Sequence, residues 1–273
     1  MVEALIFLAA PTIMCFILAG IHCYLGLHVL ARGVIFVDLS LAQVAAFGST
    51  FALLFGFEHG SVGAYLFALI STFLAAGLFA LARKQERHFS QEAIIGIVYA
   101  LGAAAIVLLV DHLAHGAEHL KELLVGQILW VTWPSVFKTA VIYSAVGAVH
   151  YSFRKQLLAA SFSEGTDRSA KWDFLFYALF GVVITSSVSI VGVLQVFAYL
   201  IVPSIVSTLF VSSIRARLIF GWVFGILLSV LAMGASYSFD LPSGALIVVC
   251  FAAIPIILLL AHPLLPAHNK ILK

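Results

Sequence analysis

The feature that most constrains this chain is a succession of apolar runs near the length needed to cross a bilayer, separated by short polar breaks. A helix needs about 20 apolar residues to span the hydrocarbon core. Runs of that kind occupy residues 4–30, 34–56, 61–82, 92–110, 134–153, 172–193, 195–212, 216–236 and 243–262. The reading is therefore an all-α integral membrane protein, a polytopic bundle of about nine transmembrane helices. The division between the sixth and seventh runs rests on Gly192 and Pro203 alone, so a broken or re-entrant helix is the alternative there. Composition agrees: 63% of the 273 residues are hydrophobic and 10% are charged. A soluble domain carries about 25% charged residues, so this chain has too few to coat a globule, and lipid must solvate its outer surface.

Charge placement gives the direction, because Lys and Arg near span ends favour the cytoplasm. With the N-terminus outside, Arg32, Arg83, Lys84, Arg87, Arg154, Lys155, Arg168, Lys171, Arg215, Arg217, Lys270 and Lys273 share one side. Those are 12 of the 14 Lys and Arg residues, with Lys121 and Lys138 opposite. The expected topology is N-out, C-in, with residues 1–273 forming a single transmembrane domain. The N-terminus MVEALIFL has no basic stretch before its apolar run and reads as a first span, not a cleaved signal.

Several function classes drop out. A net charge of +2 and no basic tract argue against nucleic acid. Cys15, Cys23 and Cys250 sit inside apolar runs without CxxC spacing, which fits small packed hydrophobes. The chain has no GxxxxGK[ST] phosphate loop, no HExxH and no GxSxG, so neither ATP hydrolysis by that loop nor an intramembrane hydrolase is indicated.

The residues that could carry chemistry are few. The outer segment DHLAHGAEHLKE, residues 111–122, holds His112, His115 and His119 with Asp111, Glu118 and Glu122. On a helix, positions 112, 115 and 119 share a face, with 111 and 122 at its margin. Imidazole with carboxylate suits zinc and other first-row divalent ions. A solvated loop with interfacial histidines is the plainer reading, and Gly116 could break the face. Ionisable groups within spans are expensive and so become functional candidates. Asp38 is the clearest of these, Gln43 follows five residues later, and His22 lies mid-span in the first run. His28, His150 and His262 read as histidines near span ends.

The segments taken in order resemble the permeases of manganese and zinc ABC importers, the ABC-3 family. GLHVLARGVIFVDLSLAQVAAFG (26–48) is similar to their first two spans, where an Arg ends span one and "LAHA…G" opens span two. AIIGIVYALGAAAIVLL (93–109), LLVGQILWVTW (123–133), SVSIVGVLQVFAYLIVPSIVSTL (187–209) and FDLPSGALIVVCFAAI (239–254) resemble later family segments in the right order. The resemblance implies a fold like type II ABC importer permeases and a dimer forming the translocation path. It also implies separate cytoplasmic ABC ATPase subunits and an extracytoplasmic metal-binding solute-binding protein. No permanent cofactor is implied, only a transported divalent metal, zinc or manganese. The loop at 161–171 lies where such permeases dock on the ATPase, which makes Glu164, Gly165, Asp167 and Arg168 the expected contacts; a solvated linker is the alternative.

Three departures bear on the cargo. Gln43 stands where the family has the His of "LAHA", Asp38 stands one position before the family's usual Asp, and Gln127 replaces the Asp of "FGD". Neutral amides at two such positions point to a different ion, weaker holding, or a path that does not use those groups. The outer histidines tilt the expectation towards zinc. A stand-alone secondary carrier is the main alternative, although it would call for more paired carboxylates or histidines at mid-membrane than Asp38 and His22 supply. Replacing His112, His115 and His119 together by alanine should weaken uptake at limiting metal and have less effect when metal is plentiful. Unchanged uptake at the lowest concentrations would leave the loop a plain solvated one.

Overall fold

The protein is described by a computed structural model covering residues 2–58, 60–85, 90–113, 121, 123–162 and 169–261. Every regular element among these residues is helical. The helices are α1 (Val2–Arg32), α2 (Val37–Leu53), α3 (Val62–Lys84), α4 (Gln91–Val110), α5 (Trp133–Ser152), α6 (Arg154–Phe162), α7 (Ala170–Phe210), α8 (Ile214–Phe239) and α9 (Ser243–Ala261), with a 3-10 turn at Ile128–Trp130. Among the described residues, six helices are long and apolar enough to cross a membrane, namely α1, α3, α4, α7, α8 and α9. The chain is a multi-pass membrane protein.

Local chemistry sets several boundaries. Ser61 accepts from the Ala64 amide at 3.2 Å at the start of α3, and Ser213 accepts from the Ala216 amide at 3.3 Å at the start of α8. Each side chain satisfies one N–H that a first helical turn leaves without a partner. Helix α8 ends at Asp240 in the left-handed conformation, φ 51. Outward faces carry Leu66, Leu74, Leu101, Leu108, Leu231 and Leu259, all exposed. In water such a surface would drive aggregation; against acyl chains it is neutral.

The expected sixth and seventh runs form one element, α7, interrupted at Gly192 (φ 76, ψ 166). Contacts show that the chain reverses there. On the first leg, Asp173 meets Arg32 and Ser187 meets His22, so this leg runs antiparallel to α1. Helix α8 also runs antiparallel to α1, since Gly221 faces Cys23, Gly225 faces Ala19 and Met233 faces Cys15. The second leg of α7 packs as a hairpin on α8, through Tyr199–Ser229 at 2.7 Å and Phe210 stacked on Phe220. It therefore runs parallel to α1 and opposite to the first leg. One residue turns the helix back on itself.

Two glycines make the reversal possible. The dihedrals at Gly192 lie in a region that is essentially glycine-only. A Cβ there would overlap the backbone of Gly126, itself at φ 64, because the 123–127 segment lies directly against the break. The Gln127 amide then donates to the Ile190 carbonyl at 3.3 Å, so the carbonyl exposed by the interruption keeps a partner. Non-helical backbone at membrane depth is tolerated when protein supplies such partners. Further along, Gly26 lets α1 press against the Leu200 carbonyl and the Ser204 hydroxyl of the second leg.

The Gly192→Ala variant should be destabilised by about 2 kcal/mol or more, from backbone strain of about 1–3 kcal/mol plus the collision with Gly126. Thermal unfolding of the purified protein in detergent reads this directly. An unchanged midpoint would mean that the reversal does not depend on glycine.

Candidate functional site

Polar side chains inside the bundle are mostly engaged with one another. His22, fully buried, has Nδ1 2.8 Å from the Leu18 carbonyl and Nε2 3.0 Å from the Ser187 hydroxyl. A carbonyl can only accept, so the ring proton is assigned to Nδ1, and Nε2 is left as the acceptor facing Ser187. Tyr143 completes the group by pairing its hydroxyl with Ser187. Thr72 and Thr185 meet at 3.0 Å between α3 and α7. His22 thus sits on the α1–α7 seam with both ring nitrogens occupied.

Asp38 differs. It lies in the first turn of α2 and is 1% exposed, and neither carboxylate oxygen meets a side-chain partner. Backbone amides at the start of its own helix and the Glu92 carboxylate lie beside it. The positive end of a helix favours an anion, which accounts for the carboxylate being tolerated but leaves its lone pairs available. Gln43, buried, lies a turn and a half further along α2 against Gly102 of α4. Glu92, at the start of α4, accepts from the Phe36 amide at 3.3 Å, which brings a second carboxylate to the start of α2. The hydrogen bonds of His22 run to Leu18 and Ser187 and not to α2, so His22 stands apart from Asp38 and Gln43, which share α2 and neighbour α4.

At the end of the bundle where α1 and α3 finish, His28 Nδ1 and the Arg32 Nε–H both reach the Ser161 hydroxyl, at 2.8 and 2.9 Å. Arg32 and Arg83 both bond Asp173 Oδ1, and Arg83 also donates to the Ala160 carbonyl at 2.8 Å. His150 pairs with the Tyr24 hydroxyl at 3.2 Å, next to the His28 ring. The guanidinium beside these imidazoles disfavours a cation, so this cluster reads as structural charge pairing and not as a metal site.

A cavity of about 470 Å³ opens between α2, α3, α5, α7 and the 123–131 segment. Ser49, Gln127, Lys138, Thr139, Thr185 and Ser186 are among its walls, and among the described residues none that lines it is His, Cys, Asp or Glu. Hydroxyls and amides of this kind can solvate a hydrated ion but offer no strong inner ligand for a bare transition metal.

The outer histidine segment is only partly described. Asp111 and His112 are exposed, and the His112 ring bonds the Leu108 carbonyl at 2.9 Å as α4 ends. His115, Glu118, His119 and Glu122 lie outside the described residues, as do Glu164, Gly165, Asp167, Arg168 and His262. Among the described residues, no three of His, Cys, Asp and Glu come together as a metal-holding group.

Sequence reasoning passed over Asp173, Arg83 and Gln195. Arg83 entered it only as a topology signal, and Asp173 did not enter it. Its position at the start of an otherwise apolar run was the available signal. Gln195, fully buried on the second leg of α7 near Gly244, is a neutral amide and so carried no such flag.

Comparison with known proteins fits this architecture. The manganese transport system membrane protein MntC of Listeria monocytogenes is 25% identical over 244 residues, 88% of this chain and 85% of that one. A Haemophilus influenzae protein named "Probable iron transport system membrane protein" is 29% identical over 181 residues, 64% of this chain and 66% of that one. Among solved structures, "PsaBC from Streptococcus pneumoniae in complex with Fab" shares the fold, with a TM-score of 0.75, 24% identity, and coverage of 94% of this chain and 93% of that one. The family model described as the ABC 3 transport family matches residues 5–262, nearly the whole helical bundle, and the chain belongs to that family.

Proposed function

We propose that this chain is the membrane-spanning permease subunit of an ATP-driven importer of divalent metal ions in the bacterial cytoplasmic membrane. The observation that carries the proposal is the family match over residues 5–262, nearly the whole helical bundle. Two of the relatives are named for manganese and iron transport, which supports a metal cargo. The absence of a phosphate loop from the sequence fits a chain whose energy comes from a separate ABC ATPase.

The finer assignments follow from the sequence. The chain crosses nine times, with its N-terminus outside and its C-terminus inside; α2, α5 and the two legs of α7 provide the crossings beyond those of the other long helices. Two copies pair to enclose the path, the ATPase docks on the 161–171 segment through Glu164, Gly165, Asp167 and Arg168, and a solute-binding protein delivers the ion from outside. Asp38 and Gln43 face the path, and Asp111, His112, His115, His119 and Glu122 receive the ion. Zinc is the favoured cargo because imidazoles dominate that outer segment. The secondary carrier is the weaker reading: it calls for paired ionisable groups at mid-membrane, whereas both nitrogens of His22 are engaged and Asp38 and Glu92 sit in the first turns of α2 and α4.

The deciding experiment is uptake of zinc, manganese and iron into vesicles reconstituted with the ATPase and binding protein, with and without ATP. ATP-dependent accumulation supports the importer; accumulation without ATP supports the carrier; manganese uptake with zinc ignored removes the zinc assignment. In the same vesicles Asp38→Asn should lower uptake roughly tenfold while the protein remains folded, as expected for an intramembrane acid in a pathway. Undiminished uptake would return Asp38 to a helix-start role.

A further inference from the structure

The chain on either side of residues 163–168 is gripped by the same two arginines. Arg32, the last residue of α1, donates from Nε to Ser161 at 2.9 Å and from Nη1 to Asp173 at 2.7 Å. Arg83, in the last turn of α3, donates from Nη1 to the same Asp173 oxygen and from Nη2 to the Ala160 carbonyl at 2.8 Å. The arrangement is closed from water: the side chains of Arg32, Arg83 and Asp173 are 0%, 9% and 3% exposed.

One arginine would suffice to neutralise one buried carboxylate. Here two share it, and each directs another guanidinium nitrogen to the end of α6. A guanidinium holds several acceptors in a fixed planar fork, which a flexible ammonium does not. The end of α6 and the start of α7 are therefore both tied to both α1 and α3. His28 strengthens the α1 side through Ser161.

From there the links continue into the bundle. Helix α3 touches the first leg of α7 again through Thr72 and Thr185, and it packs closely on α2 where Gly48 lies against the Phe67 carbonyl and Ser71. Helix α2 carries Asp38 and Gln43. Close-packed elements of this kind shift as units, so a displacement of the end of α6 and the start of α7 is delivered to α1 and α3 together and reaches α2 through α3.

We infer that Asp173 is a positioning residue for transport: held between Arg32 and Arg83, it transmits movement of the end of α6 and the start of α7 to the helices that carry the candidate path. This rests on the reading that the partner ATPase docks on residues 161–171. Asp173 itself touches neither the ion nor ATP.

The test uses the reconstituted complex of permease, ATPase and binding protein, and measures metal ions accumulated per ATP hydrolysed. With Asp173→Asn, the assembled complex should hydrolyse ATP at about the original rate while ions per ATP fall roughly tenfold, within the range of ordinary coupling energies. Asp173→Glu should recover part of that ratio. Ser161→Ala, which removes no charge, should lower the ratio by a smaller factor and keeps the test alive should Asp173→Asn fail to assemble. An unchanged ratio in Asp173→Asn and Ser161→Ala would overturn the inference. So would uptake and hydrolysis falling in step with the amount of assembled complex, because that is what a purely structural ion pair predicts. A wild-type complex without ATP-dependent uptake would instead overturn the importer reading, and this inference with it.

Discussion

Hydrocarbon offers no hydrogen bonds, and most of this molecule is arranged to live with that. Each backbone amide and carbonyl at membrane depth must find its partner inside the protein. Helices do so locally, which is why the described elements are all helical. The interruption of α7 at membrane depth shows the same rule under stress: Gly192 breaks the ladder, and the Gln127 amide arrives to cap the Ile190 carbonyl. The 123–131 segment and the reversal of α7 are therefore one construction and not two neighbouring features.

Side chains obey the same constraint. Hydroxyls inside the bundle return to carbonyls of their own helix one turn back, as Ser204 does to Leu200 and Ser229 to Gly225, or meet a second hydroxyl across a seam. Charge is concentrated at one end, where one carboxylate serves two guanidinium groups. A buried ion pair of this sort contributes little net stability over apolar packing, yet breaking it is costly because the remaining charge stays buried. Its value lies in fixing which segments move together. Asp38 stands apart as a buried carboxylate without a side-chain partner, and in a family of transporters that is the group with chemistry to spare.

Much of this was legible from the chain. The apolar runs predicted helices at 61–82, 92–110, 134–153 and 216–236, and α3, α4, α5 and α8 occupy those stretches within a few residues. The cost of burying charge singled out Asp38 and His22, and both are buried. The resemblance built on segments from 26 to 254 agrees with the family to which the chain belongs. Less legible were α6, too short and polar to register as a run, and the Arg32–Asp173–Arg83 group. Its arginines stand 141 and 90 residues from Asp173 and reach it only when α1, α3 and α7 converge.

The sequence by itself determined that the chain is a helical membrane bundle, because about 20 apolar residues per run leave the backbone no other way to satisfy itself in lipid. It also marked Gly192 as a break. Only the tertiary structure decided that this break is a complete reversal, that both nitrogens of His22 are engaged by neighbours, and that two arginines hold both the end of α6 and the start of α7. Those outcomes depend on which helix faces meet. In a chain that is apolar nearly all round each helix, hydrophobic patterning says little about facing, and close-fitting glycines and scattered polar pairs settle it instead.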